Sequence, residues 1–252
     1  MNKKRVINRI SPLFLKGIAH RGLHNSDLTE NGLLAFKNAI DQGFAFELDV
    51  HLTLDNKLIV CHDYDLKRTT GKDGIIEEMT LQEIKDKYLL LDGEKVPTLE
   101  DVLSLNQEKV PIVVELKVYK KNYKKLARET RKELKQIKNK KNIFIISFDP
   151  RALLKMTFTA FVRGLLVGTD DSGKLFWTYK LRFLFESVDL DATLLKFEEV
   201  QKYSRRHFIN TWTIDSKEKF DSVYPFVDTT TFQLMDQDYV RNNLLMKNKK
   251  YL

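Results

Sequence analysis

The stretch Ile18–Asp63, IAHRGLHNSDLTENGLLAFKNAIDQGFAFELDVHLTLDNKLIVCHD, limits what this chain can fold into more than any other. Two histidines, His20 and His62, each end a short apolar run, and between them Glu47 and Asp49 stand one residue apart inside FELDV. Residues i and i+2 of a β-strand point to the same face, so the two carboxylates converge on one spot. VPIVVELK repeats the device with Glu115 and Lys117. Apolar strands that end in convergent polar groups are where a (β/α) barrel builds its active site. Three carboxylates, two imidazoles and a lysine at such strand ends point to a hard divalent cation and to acid–base chemistry on an anionic substrate.

The rest of the chain supports a barrel. After GIAHR as a first strand, Thr29-Glu30-Asn31 opens a helical pattern carried by Leu33, Leu34, Phe36, Ala39 and Ile40 and ended by Gly43. FAFELDVHLTL is a second strand. The turn Asp55-Asn56 and KLIVCHD after it read as a hairpin, which a purely parallel barrel does not expect. Residues 64–96 are turn-rich with one short helix and read as a small insertion after the His62-Asp63 strand. A helix starts at Pro97-Thr98, IVVELK follows as a strand, and 119–138 reads as a long helix striped by Tyr123, Leu126, Thr130, Leu134 and Ile137. IFIISF, VRGLLVG, SVDLDA, HFINTWTI and FVDTTTF complete about nine strands, one more than an eight-stranded barrel holds. No Pro/Gly/Ser-rich linker divides the alternation. The expectation is one α/β domain over 1–252, a TIM (β/α)8 barrel with a basic lead-in at 1–16 and the insertion at 64–96.

A length of 252 residues suits one such barrel. No run approaches the ~20 apolar residues of a membrane span. The N-terminal MNKKRVINRISPLFLKG lacks the continuous apolar centre of a signal peptide, so an intracellular, cytoplasmic protein is expected. The single cysteine, Cys61, excludes an intramolecular disulfide and a Cys-rich zinc site. It precedes His62, so in a strand the two side chains face opposite ways and Cys61 reads as a buried small hydrophobe. The net charge of +8 is uneven: residues 1–16 carry +5, residues 119–141 carry +9 and residues 241–252 carry +4, which leaves −10 for the remainder. Basicity therefore lies outside the motif-bearing part, and no nucleic-acid motif accompanies it.

The motifs, taken together, are recognisable. HRG at His20–Gly22, EN at Glu30–Asn31, AF at Ala35–Phe36, E-x-D at Glu47–Asp49, T-x-D at Thr53–Asp55, HD at His62–Asp63 and RTTG at Arg68–Gly71 occur in that order. PTLEDVL at Pro97–Leu103 and ELK at Glu115–Lys117 complete the set, and SFD at Ser147–Asp149 and TWTID at Thr211–Asp215 fit more loosely. The ordered set resembles the glycerophosphodiester phosphodiesterase family, densely over residues 17–118 and more thinly afterwards. The resemblance implies a TIM barrel with a small insertion, a divalent cation, and hydrolysis of a glycerophosphodiester to sn-glycerol 3-phosphate and an alcohol. Two places depart from the family pattern. Thr29 and Gly32 replace the Pro and Thr that flank Glu-Asn, and FVDTTTFQ lacks the Gly before its Asp and the Thr-Asp-x-Pro ending, with Phe232 at the acidic position.

The all-oxygen set Glu47, Asp49 and Glu115 suits Mg²⁺ or Ca²⁺ better than zinc. Arg21 and Lys117 are the expected phosphate partners. His20 and His62 are the expected acid–base pair, taking the proton of a nucleophile (the glycerol 2-hydroxyl or water) and supplying one to the leaving alcohol; either assignment of the two roles is open. The resemblance adds Trp212 at the substrate pocket and a site role for Glu30 and Asn31. His24, His51 and His207 have no such setting. The aromatic segment Leu175–Phe185 reads as a buried helix, a lid, or an acyl-chain or membrane contact. The expected partner is a small-molecule glycerophosphodiester, without nucleic acid, and the basic patches leave room for peripheral contact with an anionic membrane. Two alternatives stand beside this reading: a lysophospholipase D-like enzyme working at a membrane surface, and a non-catalytic ligand-binding member.

Overall fold

The structure is a computed structural model that describes residues 3–168, 177–194 and 206–252. Its strands are β1 (Ile18–Ala19), β2 (Ala45–Leu52), β3 (Leu58–Val60), β4 (Ile112–Leu116), β5 (Ile143–Ser147), β6 (Val162–Val167), β7 (Ser187–Asp191), β8 (Phe208–Ile214) and β9 (Thr229–Phe232). Eight of them run parallel and close a ring in the order β1-β2-β4-β5-β6-β7-β8-β9, with β9 pairing back onto β1. The surplus strand is β3. It pairs antiparallel with β2, Val50 opposite Val60, and lies outside the ring. The expected TIM barrel and the unexpected hairpin are therefore both present.

Helices cover the outside, and local chemistry sets where they begin. Thr98 and Asp101 form a reciprocal capping box for Leu99–Asn106, Asp149 caps Pro150–Lys155, and Asp236 caps Gln237–Asn248. The helix expected over 119–138 is shorter, Tyr123–Leu134, because residues 117–122 form the loop that leaves the top of β4. Its apolar stripe is as expected, with Leu126, Thr130 and Leu134 buried. The helix expected after Thr29 starts at Leu33, with Gly32 at its cap, so Glu30 and Asn31 are loop residues. The segment after β3 folds around a small core of its own, in which Ile59, Cys61, Leu66, Ile76 and Ile84 are buried. Cys61 faces that core, and burial pushes its thiol up to about 12. Of the aromatic segment, Leu175 and Phe176 lie outside the described residues. Trp177–Leu184 forms 3-10 turns, Phe185 is buried and Phe183 points outward.

The parity of the strands separates two cores. Phe46, Leu48, Val50, Val114 and Leu165 pack outward against the helices. Ala45, Val113, Phe144, Val162 and Phe208 fill the barrel interior, where they meet Val6, Ile7, Ile10, Phe14 and Leu15. The basic lead-in thus folds beneath the barrel as a stopper: a short helix, Lys3–Ile7, then a 3-10 turn, Pro12–Lys16, capped by Ser11. Phe14 is fully buried with its ring edge-on to Phe144 at 5.9 Å. The Thr229 hydroxyl donates to the Phe14 carbonyl, and the Asn248 amide donates to Leu15 and Asp228, tying the stopper to the last strand and last helix. Among the described residues no helix is long and apolar enough to cross a membrane.

If the stopper belongs to the cooperative core, Phe14→Ala should cost about 3–5 kcal/mol in urea unfolding, as other buried Phe truncations do. A loss below about 1 kcal/mol would mean that residues 3–16 are detached from the folding unit.

Candidate active site

The site is built on the C-terminal rim of the strands, beginning with the turn that leaves β1. The His20 amide still donates to the Phe232 carbonyl at 2.9 Å, but Arg21 turns into the left-handed region (φ 53°) and Gly22 follows (φ 83°). A Cβ at Gly22 would lie 2.8 Å from the Ala35 carbonyl carbon, so only glycine passes there. The turn aims the Arg21 amide at Glu47 Oε2 (3.0 Å) and its guanidinium at Glu30 (2.7 Å), with Nε 3.5 Å from Asp49. Asn31, also left-handed, donates its amide to the Arg21 carbonyl and its side chain to Asp49 Oδ2 at 2.9 Å. Glu30 and Asn31 thus brace the HRG turn.

Strand register brings Asp49 level with Glu115, and i, i+2 parity adds Glu47 from below. Oxygen atoms of all three buried carboxylates lie within 4.8 Å of one another. Lys117 Nζ stands 3.0 Å from Glu115 and 3.5 Å from Asp49. Burial, then repulsion from Asp49 and Glu115, raises Glu47 well above the usual carboxylate range. Burial likewise raises Glu115, only partly offset by Lys117. Asp49 goes the other way: burial opposes ionisation, but Lys117 and Arg21 outweigh it and hold the carboxyl low. Fully ionised, the three carboxylates would outnumber the lysine and arginine beside them, and the tighter hold of Glu47 and Glu115 on their protons relieves that excess. That imbalance, together with an all-oxygen donor set, fits a divalent cation.

His20 and His62 line one pocket of about 60 Å³ together with Glu47, Glu115 and Trp212. His20 Nδ1 lies 2.6 Å from Gln233 Oε1. An amide oxygen only accepts, so Nδ1 holds the proton and Nε2 keeps its lone pair. Burial, with Arg21 beside it, pushes His20 down to about 3. His62 Nδ1 lies 2.7 Å from Asp63, whose carboxylate is gripped by Arg68 at 2.6 Å. Burial lowers His62 as well. Arg68 also donates to Glu30, so that Arg68 and Arg21 share one acid, held down to about 2 by those bonds against its burial. The indole of Trp212 donates to the Asp189 carbonyl (3.1 Å) and meets Phe148 edge-on at 5.5 Å. Beside the pocket, past His62 and Lys117, opens a groove of about 1200 Å³ walled by Tyr64, Leu116, Tyr119, Phe148 and Pro150.

Residues 20–223 match the model of the glycerophosphoryl diester phosphodiesterase family. The chain belongs to that family. A glycerophosphodiester phosphodiesterase of Caldanaerobacter subterraneus is 35% identical over 147 residues, 54% of this chain and 59% of that protein. The chain spans about half the length of the bacterial relatives of this kind that it matches. A lysophospholipase D of Mus musculus is 25% identical over 218 residues, 79% of this chain and 68% of that protein. The crystal structure of a glycerophosphodiester phosphodiesterase from Parabacteroides distasonis superposes with a TM-score of 0.75 at 26% identity, covering 91% of this chain and 96% of that one.

Within this family member, every residue expected at the site lies at or beside the pocket: His20, Arg21, Glu47, His62, Glu115 and Trp212 line it, and Glu30, Asn31, Asp49 and Lys117 support those. Sequence reasoning missed four residues. Phe232 does not stand in for a rim acid; its ring turns into the core against Phe44, and Gln233 reaches His20 instead. Asp63 and Arg68 were visible as motif letters without a role. His51 is no ordinary strand residue: it shares the inward face of Asp49, lies 2.6 Å from Glu77 and meets the His62 carbonyl at 3.2 Å, fixing the loop that carries His62. The parity of FELDVH was the available signal, since His51 follows Asp49 by two.

A carboxyl whose hold on a proton is strengthened by burial and repulsion gives that proton up when a cation enters. Titrating the metal-free protein with Mg²⁺ or Ca²⁺ near pH 7 in weak buffer should release protons, and Glu47→Gln should diminish the release. Cation binding with no proton release would contradict the charge balance described above.

Proposed function

We propose that this chain is a divalent-cation-dependent phosphodiesterase that hydrolyses glycerophosphodiesters to sn-glycerol 3-phosphate and an alcohol. The observation that carries the reading is the meeting of three buried carboxylates with His20 and His62 around one pocket. Glu47, Asp49 and Glu115 would hold the cation, Mg²⁺ or Ca²⁺. When bound, it supplies charge stabilisation at the phosphoryl oxygens and acidifies an attacking hydroxyl. The chain's own residues do the rest. Arg21 and Lys117 offset phosphate charge from two sides. His20 and His62 exchange protons with the entering and leaving oxygens, one acting as base and the other as acid. Their partners differ: a neutral amide orients His20, whereas the Asp63 carboxylate can stabilise an imidazolium at His62. Trp212 forms an apolar wall for the glycerol, braced by Phe148.

A second reading, a lysophospholipase D-like activity, has one observation in its favour: the large groove beside the pocket sets Tyr64, Val118, Tyr119, Phe148 and Pro150 among its charged lining residues and has room for an acyl chain. Turnover of lysophosphatidylcholine set against glycerophosphocholine, glycerophosphoethanolamine and glycerophosphoglycerol separates the two. The first reading expects the water-soluble diesters to have the higher kcat/KM.

Chelation with EDTA should abolish turnover, and Glu47→Gln or Asp49→Asn should do the same with the fold intact by circular dichroism. Full activity in excess chelator, with no copurifying ion, would sink the cation's role.

His62→Ala should lower kcat by ~10²–10⁴-fold, the usual contribution of a positioned acid or base, with kcat/KM falling alongside. A substrate with a nitrophenol leaving group needs no proton at departure, so it should rescue whichever histidine variant lacks the acid and leave the other slow. Near-normal kcat of His62→Ala on glycerophosphocholine would remove the two-histidine mechanism.

A further inference from the structure

The three basic runs are far apart in sequence, yet the fold gathers much of them at one end. Strands enter the barrel at the end closed by the stopper, opposite the carboxylate rim. There Ser11 donates to the Lys141 carbonyl, and Arg9 donates to the carbonyls of Ala160 and Phe161. Lys3 pairs with Asp228 just before β9, and Lys247 donates to the carbonyls of Tyr224 and Val227. Residues of 3–16, 128–141 and 241–252 therefore share the stopper end.

This pole has a shaped cleft of about 540 Å³, lined by Arg128, Arg131, Lys132, Lys135 and Lys140 over a floor of Ala160 and Phe161. No acidic side chain lines it. Arg128 pairs with Glu129, and Lys140 caps the helix carbonyls of Leu134 and Lys135. Arg131, Lys132 and Lys135 form no ion pair among the described residues. Next to the cleft, Phe158 stands at the tip of a turn with φ 65° and its side chain wholly exposed (102%). A bulky residue in the left-handed region is uncommon, and an aromatic ring offered entirely to water gives up burial it would otherwise gain. Cations without acids, an apolar floor and a projecting ring are the features of a surface that sits on charged head groups and dips a side chain between them.

We propose that this basic pole is a docking surface for an anionic phospholipid bilayer, and that docking there turns the catalytic mouth away from the membrane. β2 is eight residues long, roughly 20 Å of barrel height after tilt. That is more than two Debye lengths of ~8 Å at physiological salt, so the pole's charges neither steer substrate into the mouth nor tune its chemistry. Docked this way, the enzyme draws diesters from solution rather than from the bilayer beneath it. The proposal rests on the pole's geometry and stands apart from the assigned hydrolysis.

The test is co-sedimentation of the full chain with vesicles of phosphatidylcholine alone and of phosphatidylcholine mixed with phosphatidylglycerol, at low and high salt. The mixed vesicles should bind and the neutral ones should not, with binding falling as salt rises. The exposed triple variant Arg131→Gln, Lys132→Gln, Lys135→Gln should lose on the order of 100-fold in partitioning, about fivefold per charge. Phe158→Ser should lose about tenfold, as expected for a ring withdrawn from an apolar layer. Both variants should hydrolyse glycerophosphocholine like the wild type. If the wild type turns over no diester at all, the functional reading fails while the sedimentation result keeps its meaning. Equal binding to neutral vesicles, no wild-type binding at low salt, an unimpaired triple variant, or tighter retention by double-stranded DNA than by mixed vesicles would each overturn the proposal.

Discussion

Like charges gathered in a buried place set the terms for the rest of this molecule. With oxygens within 4.8 Å of one another, each ionised pair among Glu47, Asp49 and Glu115 repels by roughly 3 kcal/mol or more at an effective dielectric of 20, before any cost of desolvation. The protein cannot hold that arrangement with one neighbouring element. It uses the turn after β1 for Arg21, the loop after it for Asn31 and the end of β4 for Lys117. The left-handed backbone at Arg21 and Asn31 and the glycine at position 22 follow from the need to bring those donors over the rim. Even so the two cations are one short of three ionised carboxylates, and Glu47 answers by holding its proton more tightly. A site of this kind is compatible with a divalent cation.

The opposite end of the barrel answers a different constraint. An eight-stranded ring is packed through by its own side chains, but here residues 3–16 are drawn beneath it, and Phe14 meets Phe144 inside the floor. A segment so basic has to place its charges somewhere once Val6, Ile7, Ile10, Phe14 and Leu15 are buried. They emerge around the stopper, beside the C-terminal half of Tyr123–Leu134 and the last helix. The uneven charge of the sequence thus becomes an unevenness of the molecule: the three basic runs meet at the stopper end, away from the buried carboxylates of the rim.

Much of this was legible beforehand, and for identifiable reasons. Period-two strands, the i, i+2 carboxylates of FELDV and the ordered motifs specify barrel and site together, because in this architecture the strand ends are the site. Legibility failed where a residue acts through a partner distant in sequence. Gln233 meets His20 across 213 positions, and nothing in FQ announces it. His51 depends on Glu77 from the insertion, and Asp63 and Arg68 matter as links in a chain to Glu30. The surplus strand was countable but could not be placed, since only pairing shows that β3 runs antiparallel outside the ring. The stopper was hidden by composition: its lysines and arginines drew notice, and the buried apolar residues between them did not.

The two-residue β1 pairs with β2 on one side and with β9 on the other, and His20 finds its partner only beyond β9. During synthesis His20 leaves the ribosome 213 residues before Gln233. Until then β1 and the stopper have one edge and one wall unfilled. Closing so long a loop is the slow, entropically expensive event of such a topology. Until β9 has been made the motif-rich half has no closed ring, and the imidazole at position 20 acquires its orientation only when the barrel shuts.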